Sequence, residues 1–295
     1  MNTLWTILGW TLAIVFGLLM VSMMLVQNWG AALALLLLVL LCLPPIGGWL
    51  ASRFGRTIHP LLRGALIVGL LVIFGRLLIG GAATSIYKSP EVAAQLRAIY
   101  DEKMAQWPVA YEDRFIETEY GTVHVIVSGP EEAPPMVLLH ASGVSSWSWK
   151  YNVEELSRAY RTYAIDLIGD AGKSELATLD HVLESGADQA RLYTEILDEL
   201  GIDKAYVVGA SEGGFIASNL ARYAPQRVEK MALLGPMSYA GAAESVVRIM
   251  FTTFVPLKPV QDSTFRWAFS DSPDMQREFG EWFRLVMTGY NPTAK

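Results

Sequence analysis

Ser211 is the residue of this chain best placed to do chemistry. It sits in a G-x-S-x-G box, Gly209-Ala210-Ser211-Glu212-Gly213. The apolar run Ala205-Tyr206-Val207-Val208 precedes the box, and a helical stretch, Gly214 to Tyr223, follows it. Strand, tight turn and helix in that order predict a nucleophile elbow, in which small residues let the chain turn sharply and lift the serine oxygen clear of the sheet. A serine hydroxyl is a poor nucleophile at neutral pH. It needs a general base, usually histidine, and a carboxylate to orient that base. The four histidines are His59, His124, His140 and His181, and all precede Ser211.

Other chemistries find less support. The run Gly169-Asp170-Ala171-Gly172-Lys173-Ser174 ends like a phosphate loop, but such a loop needs glycine at 167, where the chain has Leu167. Nucleotide binding is therefore not expected. The one cysteine, Cys42, lies in an apolar run and can build neither a disulfide framework nor a metal cluster. No cofactor and no metal are expected. All 29 acidic residues but only 19 of the 23 basic ones lie in 88–295, giving that part a net charge of −10. Nucleic acid is excluded as a partner, because phosphate binding needs clustered Lys and Arg. His140 reads as a structural loop histidine and His181 as a surface residue.

The elements that must hold Ser211 are legible from Arg114 onward. Phe115–Thr118 and Thr122–Val127 flank Glu119-Tyr120-Gly121, a hairpin signal. Strands are predicted over Pro135–His140, Thr162–Asp166, Tyr206–Ala210 and Val228–Leu234. Helices are predicted over Trp147–Tyr160, Glu184–Leu200 and Gly213–Tyr223. A hairpin followed by strand–helix alternation implies a mostly parallel sheet covered on both faces. Three loops then follow strand ends, where open α/β sheets place their chemistry. They are His140-Ala141-Ser142-Gly143, the 166–174 loop and the serine elbow.

On these motifs the chain resembles the α/β-hydrolase superfamily, in its esterase, lipase and C–C-bond hydrolase branch, over roughly residues 112–240. The resemblance implies a serine hydrolase acting through an acyl-enzyme at Ser211. It implies that the backbone N–H groups of Ser142 and Glu212 form the oxyanion hole, with Ala141 in place of the family's usual glycine. The 166–174 loop is similar to the family's D-x-x-G-x-G-x-S with one extra residue. A carboxylate at Glu212, beside the nucleophile, is unusual. It either disfavours anionic substrates or points into solvent. Beyond Leu234, predicted helices over Ala243–Phe254, Asp262–Phe269 and Ser272–Thr288 resemble the first part of the family's helical cap. Their apolar content implies a small, uncharged or hydrophobic ester-like substrate. The family's acid and histidine follow the cap in the order serine, acid, histidine. Residues 289–295 leave no room for them, so the chain is expected to be a fragment and inactive as it stands. Two other readings remain open: a non-catalytic membrane protein using the scaffold as a binding module, and an enzyme drawing its base from a partner chain.

Residues 1–87 contain no acidic residue and only Arg53, Arg56, Arg63 and Arg76 as basic ones. Apolar stretches over 4–26, about 29–50 and about 65–87, the last with Arg76 near its middle, predict three transmembrane helices. The bilayer is thus expected as a partner and the protein as multi-pass. Arg53, Arg56 and Arg63 place the 51–63 loop in the cytoplasm and the 88–295 part outside. Ser89-Pro90-Glu91 reads as a helix start for an amphipathic connector that packs on the domain behind it. The expected organisation is therefore α/β. A membrane anchor occupies 1–87, a connector helix 88–111, an α/β-hydrolase core of strands one to six 112–240, and a partial helical cap 241–295.

Overall fold

The computed structural model describes residues 3–25, 29–43, 66–71, 85–178, 183, 185–237, 252, 257–269 and 272–290. The chain divides into two compact units. One comprises 1–82 with 250–261 and the other 83–249 with 262–295.

In the first unit, α1 (Thr3–Leu25) and α2 (Trp29–Cys42) are helical, as is the stretch 66–71. Among the described residues, no helix is long and apolar enough to cross a membrane. This overturns the three predicted transmembrane helices. It also overturns the multi-pass localisation with its external 88–295 part, and it leaves the bilayer unsupported as a partner. With 14 residues, α2 is ~21 Å long, short of the ~30 Å hydrocarbon core. Apolar composition records what leaves water, not what receives it. Here the receiving surface is another helix: Ala32, Leu35 and Leu38 of α2 are buried, with Phe16, Leu19 and Met20 of α1 and with Ile67 and Leu70 packed against them. The arginine loop behind the orientation argument lies outside the described residues.

The second unit carries the sheet. Helix α3 (Pro90–Met104) starts as its sequence predicts, with Ser89 Oγ accepting the Val92 N–H at 3.4 Å and proline in the first turn. Leu96, Tyr100 and Met104 are buried at helical spacing. The strands are β1 (Tyr111–Thr118), β2 (Gly121–Ser128), β3 (Pro135–Leu139), β4 (Arg161–Ile165), β5 (Glu175–Leu176), β6 (Ala205–Ala210) and β7 (Val228–Leu234). Among the described residues they form one sheet of order β1-β2-β4-β3-β6-β7, with β5 paired to β2. Pairing is parallel from β4 through β3 and β6 to β7, and antiparallel at β1–β2, β2–β4 and β2–β5. The sheet is therefore mixed, because the hairpin strand β2 is inserted directly beside β4.

Side-chain alternation sorts two cores, one on each face. Val125, Val137, Leu139 and Val207 pack with α5 (Gly186–Glu199) and α6 (Glu212–Tyr223). Ile126, Met136, Leu138 and Ala164 pack on the opposite face with α3 and with α8 (Pro273–Gly289). The preceding helix is α7 (Lys258–Phe269). The predicted helix over 147–160 is instead a 3₁₀ turn, Ser146–Tyr151, followed by the single α-turn α4 (Val153–Leu156). The Ser148 N–H donates to the Ser145 carbonyl at 3.0 Å, a three-residue closure that starts the tighter helix. The predicted helix over 243–254 falls outside the described residues, apart from Thr252.

Candidate active site

Ser211 joins β6 to α6 with φ 49° and ψ −109°, and it is the only non-glycine residue at positive φ among those described. A β-substituted residue in that region is strained, by ~1–3 kcal/mol, and holds it only where the surroundings over-determine the turn. They do so here through backbone bonds. The Ser211 N–H donates to the Leu234 carbonyl at 3.0 Å, and the Ser211 carbonyl accepts from Met237 N at 2.9 Å and Phe215 N at 3.1 Å.

The box glycines have steric reasons. A Cβ on Gly209 would lie 2.5 Å from the Gly213 carbonyl carbon and 2.7 Å from Gly214 N. One on Gly213 would lie 2.6 Å from the Leu139 carbonyl carbon and 2.7 Å from the His140 oxygen. These are backbone atoms and cannot swing away. Gly213→Ala is therefore expected to lower the unfolding free energy by about 3 kcal/mol, read by urea titration. A loss below ~0.5 kcal/mol would show that β3 and the elbow are less tightly apposed than described.

The strand-three loop lies beside the elbow. Gly213 N donates to the His140 carbonyl at 3.1 Å, joining elbow and loop. His140 is fully buried. Its Nε2 accepts the Leu167 N–H at 2.9 Å, so its proton resides on Nδ1, which donates to the Ala141 carbonyl at 2.8 Å. That carbonyl also accepts the Val144 N–H at 3.2 Å. In a trans peptide the N–H points opposite the carbonyl. Two bonds on the Ala141 oxygen therefore set the direction of the Ser142 N–H. His140, whose sequence signal suggested a structural role, thus orients the peptide that the resemblance names for the oxyanion hole. Glu212 begins α6, where helical N–H groups have no intrahelical acceptor. Burial first, then the negative charges of Glu212 and Asp170, pushes the Tyr193 phenol far up.

His124 is committed elsewhere. It is buried on β2 with Nδ1 at 2.8 Å from Asp166 Oδ2 and Nε2 at 2.6 Å from Asp113 Oδ1. Both ring nitrogens donate, which requires the imidazolium. Burial opposes that charge, but the bonds and charges of the two carboxylates prevail and raise its pKa. Burial likewise opposes the Asp166 charge, and the His124 bond and charge with the Lys173 N–H hold its carboxyl well below the ordinary range. Neither described histidine has a ring nitrogen left for Ser211, and His59 and His181 lie outside the described residues. Sequence reasoning missed the Asp113–His124–Asp166 group. Its one signal was a histidine inside the otherwise apolar β2.

The comparisons with known proteins agree with this geometry. The family described as alpha/beta hydrolase fold matches residues 134–255, elbow included. A solved Bacillus subtilis protein described as a hydrolase is 31% identical, with a TM-score of 0.61 over 67% of this chain and 69% of its own. The chain belongs to the alpha/beta hydrolase family. The naproxen esterase of Bacillus subtilis superposes with the same TM-score at 29% identity, over 68% of this chain and 69% of its own. Among curated relatives, carboxylesterase nap of Bacillus subtilis, itself uncharacterised, is 42% identical over 137 residues, and carboxylesterase YbfK is 37% identical. Each match covers 46% of this chain and 45% of the relative. The chain thus spans about half the length of the curated relatives it matches.

Proposed function

We propose that this chain carries the nucleophile and oxyanion donors of a carboxylesterase-type serine hydrolase. Ser211 forms an acyl-enzyme with a small, uncharged or hydrophobic ester, and the N–H groups of Ser142 and Glu212 stabilise the tetrahedral oxyanion. The observation that carries this reading is the strained, half-buried Ser211, locked by three backbone bonds and two glycines that admit no side chain. A binding surface has no use for strain at one hydroxyl. Carboxylesterases among the relatives support ester as the bond cleaved. The aromatic cluster of Phe265, Phe269, Phe279 and Phe283 on α7 and α8 supports an uncharged substrate.

Neither described histidine has a ring nitrogen left to serve as the base of this proposed triad. The test is covalent labelling with a fluorophosphonate. Slow labelling confined to Ser211, and absent from Ser211→Ala, is the expected result. No labelling under any condition favours the binding-module reading.

A further inference from the structure

Asp170 stands at the point where the 166–174 loop carries one residue more than the motif it resembles. It is 1% exposed. Its Oδ2 accepts the Gly143 N–H at 2.7 Å, and its Oδ1 accepts the Ala171 N–H at 2.8 Å and the Tyr290 hydroxyl at 2.8 Å. Gly143 closes the strand-three loop at φ +70°, and its carbonyl accepts the Trp282 indole N–H of α8 at 3.0 Å. The peptide groups on both sides of Gly143 are therefore held from outside the loop. Since its N–H is given to Asp170, Gly143 is not a donor to the oxyanion.

Tyr290, at the end of α8, is itself anchored. Its backbone bridges Tyr87 in an antiparallel pair, Lys88 N donates to the Gly289 carbonyl at 2.8 Å, and the two tyrosine rings meet edge-on at 5.8 Å. Burial, then the negative charge of Asp170, pushes the Tyr290 phenol well up, so it stays a donor throughout the ordinary pH range.

We infer that Asp170 and Tyr290 are positioning residues for the oxyanion loop, and that through Tyr290 the segment at Tyr87 bears on chemistry at Ser211. The link runs from Tyr87 to Tyr290, to the Asp170 carboxylate, to the Gly143 N–H, and so to the adjoining Ser142 peptide. A loop displaced by a fraction of an ångström aims its donor away from the oxyanion while leaving ester binding largely intact. The inference rests on the hydrolase reading of Ser211.

The test uses the whole 295-residue chain, with imidazole supplied as base, and the variants Asp170→Asn and Tyr290→Phe. Tyr290→Phe keeps the ring and its packing and removes only the hydroxyl. The maximal rate of Ser211 phosphonylation is expected to fall ~10-fold in Tyr290→Phe and ~100-fold in Asp170→Asn. The reagent concentration giving half that rate should stay the same. The Gly143 amide proton resonance should move upfield in both variants, a change that loss of unrelated stability would not produce. Unchanged phosphonylation in Asp170→Asn, or an unmoved Gly143 resonance, overturns the proposal while labelling of the unsubstituted chain preserves the hydrolase reading. If the unsubstituted chain does not label at Ser211, the hydrolase reading fails and this proposal fails with it.

Discussion

Imidazole added to this chain is expected to speed acylation of Ser211 by ~10²-fold. The argument starts from what is present. The serine is mounted, and the loop that would hold the oxyanion is pinned by His140 and Asp170. No described histidine is free to accept the proton, because His124 and His140 each have both ring nitrogens bonded. Loss of the base of a triad costs on the order of 10⁶ in rate, while oxyanion donors and binding alone retain ~10³-fold over water. A small diffusing base restores proton transfer without the positioning of a tethered one, so recovery is partial. The rate should climb as pH rises and the added imidazole loses its proton. It should fall to background in Ser211→Ala. Fast turnover of a p-nitrophenyl ester without imidazole would place a base in the chain, with His181 the first to substitute.

Asp166→Asn is expected to lower stability by ~3–5 kcal/mol, the range for removing one partner from a buried ion pair. All four acceptor positions of the carboxylate are in use. Oδ1 takes the Ser145 hydroxyl at 3.1 Å and the Ser146 N–H at 2.9 Å, and Oδ2 takes His124 at 2.8 Å and the Lys173 N–H at 2.9 Å. An amide turns one end into a donor, so two buried donors lose their acceptor whichever way it is turned. Gly172 shows how closely the site is built, since a Cβ there would lie 2.6 Å from Asp166 Cγ.

The pH dependence follows from the two directions. The lowered pKa of Asp166 gives stability that is complete above the unfolded value of 3.8 and is lost as pH falls through the folded one. The raised pKa of His124 gives stability that is complete below the unfolded value of 6.5 and is lost as pH rises through the folded one. The pair thus stabilises most between 3.8 and 6.5. Chemical denaturation across pH reads this directly. A variant as stable as the parent at pH 5 would show that the buried group contributes nothing.

Much of this arrangement was legible before the fold was known, and the reason is locality. The elbow is a short-range pattern: an apolar strand, two obligatory glycines and a helix start, all within 20 residues. The H-A-S-G loop, the hairpin at Gly121 and the capped start of α3 are equally local. The partners of Asp170 were not legible, because Tyr290 is 120 positions away and only packing brings it there. The role of His124 was hidden for the same reason. The error over 1–87 was of another kind. Apolar runs specify burial but not the partner, and the helices of that unit bury Leu35 and Leu38 against other helices. The tighter turn at Ser146–Tyr151 was missed because nothing in its composition distinguishes a 3₁₀ turn from an α-helix.

The bond from Gly213 to His140 has a kinetic meaning as well. It joins residues 73 positions apart that follow strands β3 and β6, which pair in parallel and therefore need a long crossover between them. Parallel pairing of this kind is a late and slow event, since loop closure must be achieved before the contacts repay it. Elbow and oxyanion loop come together only through that pairing. No folding intermediate that lacks it can hold a nucleophile beside its oxyanion donors. On the proposed reading, the serine therefore has its oxyanion donors beside it only once the sheet has closed around β3.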